Sequence, residues 1–120
     1  MNKKFDFIDR LVAFAGDVIL FLEAMPEGKA GTYLFNQLMR SSGSAALNFT
    51  EAHNAHADEV FIAKSWSALK DLRESQVNFQ IMNHIDYGNE ETRSVLEQEN
   101  VELVKILVTI IKNRQARALA

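Results

Sequence analysis

The sequence predicts an all-α fold, an up-down antiparallel four-helix bundle, and three observations carry that expectation. Apolar residues recur at steps of three and four along four long segments. β-branched residues never alternate with polar ones over the length of a strand. One proline and five glycines in 120 residues leave few interruptions, so most of the chain is free to stay helical.

The first helix is expected from about Asn2 to Met25. Two apolar series run along it, Phe5, Ile8, Val12, Ala15, Ile19, Leu22 and Phe7, Leu11, Phe14, Val18, Phe21, Met25. At about 100° per residue the two together cover roughly 200° of the helix, more than the slightly over 100° that one core-facing side needs. Pro26 ends this helix. The second is expected from an N-cap at Thr32 to Ala52 or Ala55. Besides its apolar side it carries Gln37, Ser41, Ser44, Asn48 and Glu51 at steps of 4, 3, 4 and 3, a polar stripe.

Asp58 is the expected cap of a third helix over about Glu59 to Asp86. Phe61, Ser65, Ala68, Leu72 and Phe79 mark its buried side, with Trp66, Leu69 and Met82 close by. Lys64, Ser67, Asp71, Glu74 and Asn78 repeat the polar rhythm of the second helix. Gly88 reads as a helix-ending glycine and Asn89 as the next N-cap. The fourth helix opens on Glu90 and Glu91, which oppose its positive dipole end. Its apolar residues from Val95 to Ile111 span roughly 240° of the wheel. Four helices on short turns favour antiparallel neighbours, in one domain over residues 1–120.

Composition narrows the function. The chain has no cysteine, which excludes disulfides, thiolate metal sites and cysteine nucleophiles. Asp6 and Asp9 interrupt any signal-peptide-like run, and no apolar stretch approaches the roughly 20 residues that cross a bilayer. A cytoplasmic protein without membrane contact is therefore expected. The net charge of −3 is unlike the basic balance of most nucleic-acid-binding domains.

Read as a unit, Ser41-Ser42-Gly43-Ser44-Ala45-Ala46-Leu47-Asn48-Phe49-Thr50-Glu51-Ala52 carries a family pattern. Gln37 and Arg40 precede it as Gln-x-x-Arg; Phe61-Ile62-Ala63-Lys64 and Ala68-Leu69-Lys70-Asp71-Leu72-Arg73-Glu74-Ser75 follow. Together these segments resemble the bacterial four-helix bundle protein family first noticed in intervening sequences of 23S ribosomal RNA genes. The likeness is close over the second and third helices and rests elsewhere on helix length and order. Gly43 stands where threonine is common, Asn54 and His56 replace a Gly and a Ser, and Asp71 stands for a glutamate. The resemblance implies a bundle that assembles into closed rings, pentamers above all, with no established activity. A relative serving diversity-generating retroelements binds nucleic acid through a basic surface, whereas this chain is acidic.

Four groups of candidate residues emerge. Gln37, Arg40, Ser44, Asn48, Glu51, Lys64, Asp71 and Glu74 are expected to pair across two helices as a structural polar network, since buried polar groups must be satisfied. The surplus apolar width of the outer helices, at Phe7, Phe14, Phe21, Leu103, Leu107 and Ile110, is read as an interface between copies. Lys3, Lys4 and Arg10 at one end and Lys112, Arg114 and Arg117 at the other are the basic clusters. In a ring the second would form a rim able to hold phosphates, which is the nucleic-acid alternative. His53 and His56, three apart, lack the Glu-x-x-His pairs of di-iron bundles, so no metal or other cofactor is expected. No G-x-S-x-G elbow and no glycine-rich phosphate loop appears, and no enzyme is predicted.

Overall fold

A computed structural model describes residues 3–120, with side chains from Phe7 onward. Four helices follow in order: α1 (Lys3–Glu23), α2 (Lys29–His53), α3 (Asp58–Ile85) and α4 (Glu90–Leu119). Each packs on its two neighbours around the ring α1–α2–α3–α4, and across the diagonal the backbones stay apart while Phe14 of α1 reaches Phe79 of α3 through the core. This is the up-down bundle expected. The α2–α3 contact is the most extensive and α1–α4 the thinnest. The body measures 51 × 28 × 21 Å, its length set by the 30 residues of α4. No helix among the described residues is long and apolar enough to cross a membrane.

Helix boundaries differ from expectation where backbone geometry outweighs side-chain capping. α2 starts three residues before Thr32, because Gly28 (φ 145°) turns the chain into the helix and its carbonyl accepts from Thr32 N at 2.9 Å. A φ this far positive suits glycine. Asp58 is the first helical residue and not the cap: Ala57 occupies that position without a side-chain hydrogen bond. At the α3–α4 turn Asp86 (φ 50°) takes the left-handed C-cap expected near Gly88, and Gly88 (φ 83°) makes a second left-handed step. Asn89 caps α4 as expected, its side chain accepting from Thr92 N at 2.9 Å.

The core decides between the two apolar series of α1. Phe7, Leu11, Phe14, Val18 and Phe21 are buried and Met25 half-buried, while in the other series Val12 and Ile19 are exposed, Ile8 and Ala15 half-buried and only Leu22 buried among the described residues. The interface expectation is corrected accordingly: Phe7, Phe14, Phe21, Leu103 and Leu107 are all buried within one chain, and Ile110 is half-buried against that core. The bulkier series fills the interior, where aromatic side chains remove the most area from water. Phe7 meets Phe49 edge-on at 4.9 Å, Phe49 meets Phe61 at 6.0 Å, and Phe14 leans on Phe79 at 6.4 Å. Trp66, expected near the buried side of α3, is 46 % exposed.

Two turns are locked together at one end. Tyr87 Oη donates to Pro26 O at 2.7 Å, joining the α3–α4 turn to the α1–α2 turn. Arg93, 4 % exposed, donates to Tyr87 O (2.7 Å), Gly88 O (3.1 Å), Asn83 Oδ1 (2.8 Å) and Asp86 Oδ1 (3.1 Å).

Candidate functional site

The polar stripes of α2 and α3 face one another. Arg40 donates to Gln37 Oε1 (3.2 Å) and pairs with Glu74 (3.4 Å); Asn48 Nδ2 donates to Asp71 Oδ2 (2.8 Å); Lys64 pairs with Glu51 (2.6 Å). Between them Ser41 and Ser75 share a buried hydrogen bond of 2.7 Å. Ser44 lies half-buried on the stripe, and its hydroxyl forms no hydrogen bond among the described residues. The seam is graded: its ion pairs sit at the exposed margin, and the Ser41–Ser75 and Asn48–Asp71 contacts lie deeper.

Asp71 is the most perturbed group in the seam, only 9 % exposed. Burial pushes its carboxyl above the ordinary carboxylate range; the Asn48 hydrogen bond opposes this, Glu74 adds to it, and Arg40 and Lys70 draw it back. A buried carboxyl with one strong donor, flanked by two bases and an acid, is costly to separate from its partner.

Outside the seam, α2 and α3 form an open groove of about 560 Å³. Tyr33 (55 % exposed), Val77 (52 %) and Ile81 (40 %) stand in its wall with Trp66. Arg40, Lys70 and Arg73 rim it, with Glu74 as the acid among them. On the α1–α4 edge a notch of about 420 Å³ is formed by Leu20 (70 % exposed) and Val95 (65 %) with Asp17 and Met25. Sequence reasoning missed both surfaces. Their signal was available in single large apolar residues that fall off the buried stripe of their helix: Leu20, Val77, Ile81 and Val95.

At the other end of the bundle the expected basic cluster is partly tied up. The Arg114 guanidinium lies 3.7 Å over the Phe61 ring and donates to Asp58 Oδ1 at 3.1 Å, and Arg117 reaches the same oxygen at 3.5 Å. Lys112 is exposed. Arg10 joins α1 to α4 through Glu99, with Nε to Oε2 at 3.0 Å; the side chains of Lys3 and Lys4 lie outside the described residues. His53 ends α2 and His56 lies in the following turn, so the two do not share one helical face. Among the described residues no three His, Asp or Glu side chains converge as metal ligands.

No curated protein matches this chain. One solved structure with the same fold is a protein of unknown function from the S23 ribosomal protein family of Bacteroides thetaiotaomicron. It is 25% identical, with a TM-score of 0.79 over 92% of this chain and 99% of that one. Residues 3–109 match the 23S rRNA-intervening sequence protein family. With that match spanning most of the chain and the bundle built as expected, the protein belongs to the 23S rRNA-intervening sequence protein family.

Proposed function

We propose that this chain is a non-enzymatic, self-assembling scaffold of the cytoplasm, forming a homo-oligomeric ring, with the pentamer as its principal state. The observation that carries this reading is the exposure of large apolar side chains on two edges of the bundle, Tyr33, Trp66, Val77 and Ile81 on one and Leu20 and Val95 on the other. Clustered apolar surface of this kind, rimmed by charge, is characteristic of protein contacts. The family likeness supports the same reading. Size-exclusion chromatography with light scattering tests it. One chain is 13.6 kDa, so five give 5 × 13.6 = 68 kDa, and a mass of 13.6 kDa at all concentrations would refute self-assembly.

A second reading, an accessory protein that binds RNA or DNA through a basic rim, draws on the exposed Lys112 and on Arg117, whose side chain is 67% exposed. Arg114 contributes less to such a rim, because Phe61 and Asp58 hold its guanidinium. RNA affinity that survives Lys112→Gln with Arg117→Gln would rule this rim out.

A further inference from the structure

We infer, resting on the self-assembly reading, that copies of this chain join head to tail, the Tyr33–Val77–Ile81 groove of one copy seating on the Leu20–Val95 notch of the next. The two surfaces lie on opposite edges of the ring of helices, α2–α3 and α4–α1. One protomer therefore offers both without either blocking the other.

Height along the bundle matches as well. The α1–α2 and α3–α4 turns meet at one end through Tyr87 and Pro26. Counted from the helix ends there at about 1.5 Å per residue, Leu20 lies about 5 Å in and Val95 about 8 Å, while Tyr33 and Ile81 lie about 6 Å in and Val77 about 12 Å. Neighbours can therefore join side by side without an axial step. A ring requires a contact without such a step together with a rotation between neighbours that closes, whereas a staggered contact climbs into a filament.

Charge selects the pairing. The groove is rimmed by Arg40, Lys70 and Arg73 against one acid, Glu74, which pairs with Arg40; the notch carries Asp17, and Glu91 and Glu102 share the stripe of Val95 along α4, with Arg10, paired to Glu99, as the base on that edge. On the same count Glu102 and Arg73 both lie about 18 Å from the shared end. Groove on notch sets base against acid. Groove on groove, or notch on notch, sets like charges face to face, which complementary interfaces avoid. The occupant of each surface is therefore the other surface of a second copy, in a heterologous contact.

Two variants test this, each changing only exposed residues. The groove variant is Val77→Gln with Ile81→Gln, and the notch variant is Leu20→Gln with Val95→Gln; circular dichroism checks that both stay helical. Each alone is expected at 13.6 kDa, its association weakened by roughly 100-fold or more through loss of two apolar anchors. Mixed one to one, they are expected to form a complex of two chains, twice 13.6 kDa, because one intact groove and one intact notch remain. A notch variant that still assembles while the groove variant does not would overturn the head-to-tail pairing. Variants that both keep the wild-type oligomeric mass would place the contact elsewhere and leave self-assembly standing. A monomeric wild type would instead overturn the self-assembly reading itself.

Discussion

Replacing Arg93 by alanine is the sharpest test of what holds the bundle's closed end. The guanidinium is buried and makes four hydrogen bonds, two of them to main-chain carbonyls of the α3–α4 turn. Not all four weigh equally. The Asp86 partner is 82% exposed, so that ion pair lies within the zero to about 1 kcal/mol range of surface pairs. Asn83 is also exposed and can turn to water. The carbonyls of Tyr87 and Gly88 belong to half-buried residues and lose a charged donor. At about 1–1.5 kcal/mol each for these two, with about 1 more for the Asn83 and Asp86 contacts together, the loss is about 3 kcal/mol. For 120 residues, an unfolding entropy of about 2.1 cal/mol/K per residue turns this into a Tm drop of about 12 °C. Thermal melts at one fixed protein concentration, which removes mass-action effects of assembly, provide the assay. Arg93→Lys, which keeps the charge and loses the planar fork, should fall between. An Arg93→Ala drop under about 4 °C, equivalent to less than about 1 kcal/mol, would refute the reasoning that this side chain clamps the turn.

Three further outcomes are expected. Gly88→Ala should cost about 2–3 kcal/mol by urea unfolding, since φ is +83° and the new Cβ would lie 2.8 Å from Phe21 Cζ; an unchanged midpoint would contradict that packing. Asn48→Leu should cost about 1–3 kcal/mol at neutral pH, because it removes the donor to a buried carboxylate, and an unchanged melt would remove the seam from the account of stability. Asp71 has a raised folded-state pKa, so the native chain binds more protons and this group's contribution falls as pH rises from the ordinary carboxylate range through the folded value. Asp71→Asn, which can still accept from Asn48, should therefore match or exceed the wild type in stability at pH 7 and lose that advantage in acid; the opposite trend in melts across pH would refute the sign.

The elements themselves were legible because their signals are chemical and local. Pro26 cannot donate to a continuing helix, and Asn89 caps α4 through its own side chain. The rhythm that marked one polar stripe on each of α2 and α3 needs only a helical period, and the packed helices then bring Asn48 to Asp71 and Glu51 to Lys64. What the sequence reading gets wrong is which of two periodic series on α1 faces inward, since it sets Phe7, Phe14 and Phe21 at an interface between copies. Period is silent on that point, and volume bears on it: three phenylalanines and a leucine of one series fill the core, where Leu22 joins them from the other. Arg93 escaped notice for a related reason. It shares the stripe of Leu96, Leu103 and Leu107, where a charge looks misplaced until the α3–α4 turn supplies carbonyls for it.

A bundle that joined its neighbours at matched heights would need its own helices fixed in height, and apolar packing alone fixes this weakly. Slipping α2 by one turn, about 5.4 Å, moves one leucine to where another stood. The same slip separates Ser41 from Ser75, Asn48 from Asp71 and Glu51 from Lys64 all at once, and strands a buried carboxyl. The polar seam thus penalises a displacement that the core would tolerate, at the cost of holding Asp71 out of water. Arg93 extends that constraint from α3 to α4. The groove includes α3 residues and the notch includes α4 residues, so the seam and the clamp together hold both surfaces at fixed heights. On this argument a seam variant that still folds should broaden the distribution of assembled states before it lowers helical content.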